Sequence, residues 1–109
     1  MPKIGAKILG IQVPIGKYEY PLVTTNVPAS MEVGDKITVT ATVKRADNTT
    51  PIEGINVDFF VEDSNGTISL GSTDTNASGI ATTPKSYFVA ETEEDSDIEF
   101  YVQVKGKSI

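Results

Sequence analysis

The 109-residue sequence predicts an all-β fold, an antiparallel β-sandwich of about seven short strands behind an extended N-terminal segment. Three observations predict it. Branched and aromatic apolar residues alternate strictly with polar ones over residues 37–43, 55–61 and 98–104. Clusters of Gly, Asn, Asp and Pro punctuate the chain at short intervals, as they do between the strands of a sandwich. No stretch carries the heptad spacing of a helix.

The chain divides into an N-terminal arm or extra strand, residues 1–20, and a sandwich domain, residues 21–109. In the first part Ile4, Ile8, Leu9, Ile11, Val13 and Ile15 are apolar without a clean helical or strand period, and Gly5, Gly10 and Gly16 weaken a helix. Two readings stay open. The segment lies as an extra strand on the domain's own sheet, or it is an arm that pairs with an edge strand of another subunit through backbone hydrogen bonds. Tyr18 and Tyr20 flank Glu19 just before the domain and would anchor such an arm.

A weaker strand is expected at 21–27. The turn at Val33-Gly34-Asp35 leads into 37–43, where Ile37, Val39, Ala41 and Val43 point inward and threonines point outward, as suits a strand with one wet face. A loop with Asp47, Asn48, Pro51 and Gly54 precedes the next clear strand, with Ile55, Val57, Phe59 and Val61 inward. Ser64-Asn65-Gly66 reads as a hairpin, because Asn-Gly tolerates the positive φ of a tight reversal. Weaker strands follow at 67–73, 79–83 and 86–90, with a turn at Asn76-Ala77-Ser78-Gly79. The last clear strand turns Ile98, Phe100, Val102 and Val104 inward, and Ile68, Leu70, Ile80 and Phe88 complete the expected core.

Composition narrows function. The sequence contains no cysteine and no histidine, which excludes disulfides, thiolate nucleophiles, Ser-His and Cys-His catalysis and the commonest zinc ligand. No glycine-rich phosphate loop occurs, and no enzyme and no cofactor are expected. The net charge is −6, which repels nucleic acid and anionic lipid. No apolar run reaches the roughly 20 residues of a membrane span, and lysines and a proline interrupt residues 1–15, so no signal peptide is expected. Charge is uneven: residues 1–20 carry Lys3, Lys7 and Lys17 against Glu19, whereas residues 58–104 carry ten acidic residues against Lys85 alone.

Within the domain, Phe60 and Tyr101 fall on the outward faces of their strands, and outward aromatics mark candidate binding faces. They are equally open to cover by the N-terminal segment or to pairing across strands. The acidic run 91–97 reads as a solvated loop; Asp95 and Asp97 are weak candidates for a cation such as calcium, since no glycine shapes a metal loop there. Three acceptor sequons, at Asn48, Asn65 and Asn76, fall in expected turns.

Residues 36–104 resemble a bacterial Ig-like domain of the invasin/intimin type. The resemblance rests on Thr38-Val39-Thr40-Ala41-Thr42-Val43, on Pro51-Ile52-Glu53-Gly54-Ile55-Asn56-Val57-Asp58-Phe59, and on Gly66-Thr67-Ile68 followed by Thr73-Asp74-Thr75-Asn76-Ala77-Ser78-Gly79-Ile80-Ala81. It implies an Ig-like sandwich and a role as a spacer or binding tip of a surface protein. In that family the domains come in tandem, and a lone module makes a poor stalk. The expected function is therefore a structural or binding module that docks through its N-terminal segment onto a larger assembly, such as the surface of a virus or phage particle. An exported adhesin or surface-layer module and a strand-donating filament subunit are the alternatives. Expected partners are other protein subunits, as a homo-oligomer or larger assembly, or a surface carbohydrate or receptor. The expected location is a virion or extracellular surface.

Overall fold

The computed structural model describes residues 3–11, 21–28 and 31–105. They form nine strands and one 3-10 turn: β1 (Lys3–Ile11), β2 (Leu22–Asn26), β3 (Lys36–Ile37), β4 (Thr40–Lys44), β5 (Asn56–Asp63), β6 (Gly66–Asp74), β7 (Ile80–Thr82), β8 (Tyr87–Phe88), the 3-10 turn Glu91–Glu93, and β9 (Asp97–Lys105). The fold is all-β. The strands make a four-stranded sheet in the order β1-β9-β5-β6, a three-stranded sheet β2-β4-β7 and a two-stranded ladder β3-β8. The expected seven strands become nine, and the four-stranded sheet is mixed, because β1 runs parallel to β9 while every other pairing is antiparallel.

All three sheets feed one hydrophobic cluster. The twelve residues that strict alternation places inward in the three clear strands are all buried, none more than 4% exposed. Alternation reports burial and not ladder partners, however, and 37–43 is not one strand. Ile37 belongs to β3 and pairs with Tyr87; the chain then changes sheet, and β4 pairs with β2 and β7. Val39, at the crossover, stays fully buried. Thr83 takes the place of a neighbouring strand there: its hydroxyl accepts the Val39 N–H at 3.1 Å, and its own N–H donates to the Val39 carbonyl at 3.0 Å.

Two of the four additional core residues are corrected. Ile68 is 43% exposed: it sits opposite buried Val61, but on the outermost strand two pairs from the hairpin end. Phe88 is 57% exposed, and Tyr87 and Val89 are the buried residues of that stretch, so the alternation runs one residue out of phase with expectation. Ile80 is half-buried and Leu70 is buried. The hairpin uses Ser64 and Asn65 as its loop, and the positive φ of 113° falls on Gly66, the first residue of β6. This is the geometry of a turn closed by a left-handed glycine rather than of an Asn-Gly pair at the tip. Gly79 is held by contact as well as by conformation. Its φ is 75°, and a Cβ there would lie 2.5 Å from the Val43 carbonyl oxygen, which leaves no room for a side chain.

Candidate functional site

The solvent face of the four-stranded sheet carries a candidate site, and ladder register builds it. On β5 the residues between the buried Val57, Phe59 and Val61 are Asp58, Phe60 and Glu62; on β9 those between Phe100, Val102 and Val104 are Tyr101 and Gln103. Antiparallel pairing sets Phe60 directly opposite Tyr101, Glu62 opposite Glu99 and Asp58 opposite Gln103. Directly opposed residues have Cβ atoms about 4.5–5.5 Å apart, so the two aromatic side chains share one patch. On β6, Thr67 pairs with Glu62. A bulge in the ladder between Phe59 and Phe60 leaves Leu70 as the extra residue of β6, which is buried, and sets Ser69 opposite Phe60.

Phe60, Glu62, Thr67, Tyr101 and Gln103 line an open groove of about 430 Å³. Phe60, Tyr101 and Gln103 are half-buried, while Glu62 and Thr67 are exposed. Among the described residues, the polar side chains of Glu62, Thr67, Tyr101 and Gln103 make no hydrogen bond to another side chain or to the backbone. Two nearby lysines are engaged: Lys7, opposite Tyr101 in the β1–β9 ladder, pairs with Glu99 at 3.4 Å, and Lys105, at the end of β9, pairs with Asp58 at 3.1 Å. Gly5 contributes by its size. The Glu99 carboxylate lies against it, in the space that a Cβ would fill.

Of the residues singled out in the sequence, Phe60 and Tyr101 are brought together here. The leading segment is placed differently. Lys3–Ile11 form β1, paired with β9 of the same chain, and the Lys3 N–H donates to the Ser96 carbonyl at 3.1 Å. Of the two open readings, Lys3–Ile11 take the strand on the domain's own sheet. Ile4 is opposite Ile98 and, with Ala6, is half-buried against the core. Ile8 is opposite Val102 and 41% exposed. Leu9 and Ile11 lie in β1, Ile11 opposite Val104. Val13, Ile15, Tyr18 and Tyr20 lie outside the described residues.

The acidic run is also corrected in one residue. Asp95 and Asp97 are exposed, and no group of three or more acidic side chains among the described residues is placed to hold a metal ion. Glu93, expected in a solvated loop, is fully buried. Its carboxylate accepts the Ser64 N–H at 2.8 Å, the Ser64 hydroxyl and the Thr92 hydroxyl. The Ser64 bonds hold its pKa below the usual carboxylate value, against the opposing effect of burial. Next to it the Tyr87 hydroxyl donates to Asp63 at 2.8 Å and its ring meets Phe100 edge-on. Burial, then Asp63, pushes the Tyr87 phenol well above its ordinary value. These contacts tie the β5–β6 hairpin to the body of the domain. Asp47 has its pKa lowered to about 2, chiefly by the Thr49 N–H and then by Thr50, and closes its own turn. The sequon asparagines Asn48, Asn65 and Asn76 are all exposed; Asn76 Oδ1 accepts the Ser78 and Ile80 N–H groups.

Compared with protein-family models, curated proteins and solved structures, the chain matches none.

Proposed function

We propose that this chain is a non-enzymatic binding module, an Ig-like β-sandwich carried on the outer surface of a larger assembly such as a virus particle, which presents the Phe60–Tyr101 face to its partner. The observation that carries the reading is that pair of opposed aromatics on a sheet face whose other side is sealed against the core. Surface aromatics held by a rigid sheet lose little freedom on binding, which suits them as anchors. The sandwich reading is supported by the single cluster that residues of all three sheets share. Its strand order departs from the common immunoglobulin arrangement, in which the penultimate strand lies between its sheet neighbours. Here β9 lies directly against β5, and Tyr87 and Phe88 form a separate ladder with β3.

The non-enzymatic reading is supported by the sequence, which has no histidine or cysteine. With Lys3–Ile11 engaged in the sheet, docking falls to the sheet face and, among the described residues, to the outer edge of β1. Immunogold labelling of producing cells and of any particles they release tests the proposal. Label on the outside of a particle or cell supports it; label confined to the cell interior overturns it.

A further inference from the structure

We infer that the Phe60–Tyr101 groove binds an uncharged saccharide. This rests on the reading of that face as the binding surface and names the class of ligand. The groove combines two features. Its floor carries the opposed rings of Phe60 and Tyr101, which suit the C–H face of a pyranose. Its polar groups are Glu62, Thr67, Gln103 and the Tyr101 hydroxyl, which supply both donors and acceptors and are bound to nothing among the described residues. A ligand with one apolar face and a rim of hydroxyls satisfies both at once. The volume of about 430 Å³ falls in the range of small-molecule sites, about 300–1,000 Å³.

Charge selects among sugars. Glu62 lines the groove, and Glu99 stands directly opposite it in the ladder. Among the described residues, Lys7 and Lys105 are already paired with Glu99 and Asp58. Glu62 has no cationic partner among the described residues, so an anionic sugar meets its negative charge, and nucleic acid meets the same barrier. A flat protein surface laid over this face would have to bring a cation to the Glu62 carboxylate or bury it unpaired, at a cost in desolvation. A sugar in an open groove leaves it in contact with water.

The test is a titration of the isotope-labelled full chain, followed by amide NMR, with neutral gluco-, manno-, galacto- and N-acetylglucosamine oligosaccharides and with sialylated and sulfated ones. The expected result is saturable shifts at Phe60, Glu62, Thr67, Tyr101 and Gln103 with at least one neutral sugar and none with the anionic ones. Tyr101→Ala and Gln103→Ala, each checked for an intact fold by the dispersion of the same spectrum, should weaken binding about tenfold or more. Silence toward every neutral sugar overturns the inference, and so do shifts confined to another face. Concentration-dependent shifts at this face without sugar indicate a second copy of the chain as occupant and also overturn it. In any of those cases surface labelling of a particle still stands as support for the binding module, so the two failures are distinguishable.

Discussion

The buried carboxylate of Glu93 accepts two hydrogen bonds from one residue, the backbone N–H of Ser64 at 2.8 Å and the Ser64 hydroxyl. The two residues are 29 positions apart. The bond joins the tip of the β5–β6 hairpin to the 3-10 turn that leads into β9, and so pins both strands that carry the candidate site.

That relationship makes stability depend on acid. Glu93 has a folded-state pKa below its ordinary value of 4.5, so the folded protein takes up its proton less readily than the unfolded chain. The stabilisation is complete above the unfolded value and is lost as pH falls through the lower folded one. Asp47 acts in the same direction over the window from 3.8 down to about 2. Calorimetry should give a melting temperature that is flat near neutrality and falls below about pH 4.5. Glu93→Gln should melt lower at neutral pH and show a shallower acid slope. An acid slope unchanged by the substitution would show that Glu93 does not titrate in this way.

Thr75 predicts a second effect, one independent of pH. It is 3% exposed, its hydroxyl donates to the Ile52 carbonyl at 2.6 Å, and the same oxygen accepts the Ile55 N–H at 2.9 Å. Thr75→Val keeps the shape and leaves both backbone groups unpaired inside the protein. Urea unfolding should show a loss of about 1–3 kcal/mol, with an unchanged denaturant slope. Thr75→Ser, which keeps the hydroxyl, should recover most of it.

Thr75, Thr83 and Glu93 also mark where reading the sequence stops. Alternation identifies the inward faces of β4, β5 and β9 because burial on a sheet has a period of two, and this brings Phe60 and Tyr101 to the outer face without further information. Their direct opposition depends on register, which only the folded ladder supplies. The phase of the short strand at 86–90 was open to a better reading, since Tyr87 with Val89 puts two large apolar residues inward and Phe88 with Ala90 only one. Glu93 had no local signal: in a run of acids and hydroxyls, nothing marks the one carboxylate whose partner, Ser64, lies on a distant turn. The leading segment, with glycines breaking its pattern, carried too little alternation to choose between strand and arm.

The strand β1 yields the last prediction. Its backbone is paired along β9 from Lys3 to Ile11, and Ile4 and Ala6 pack on the core, so removing residues 1–11 takes away structure rather than a free appendage. The half-buried Ile4 and Ala6 together represent about 1–3 kcal/mol of apolar burial. Their loss would also turn β9 from an inner strand into an edge with unpaired backbone groups, a template for pairing between chains. Truncation should lower the urea midpoint and make light scattering rise with concentration. In the dilute full-length protein, hydrogen exchange should find alternate amides of β1 protected. Rapid exchange throughout β1, or a truncated domain as stable and monomeric as the parent, would show that the strand does not hold the sheet.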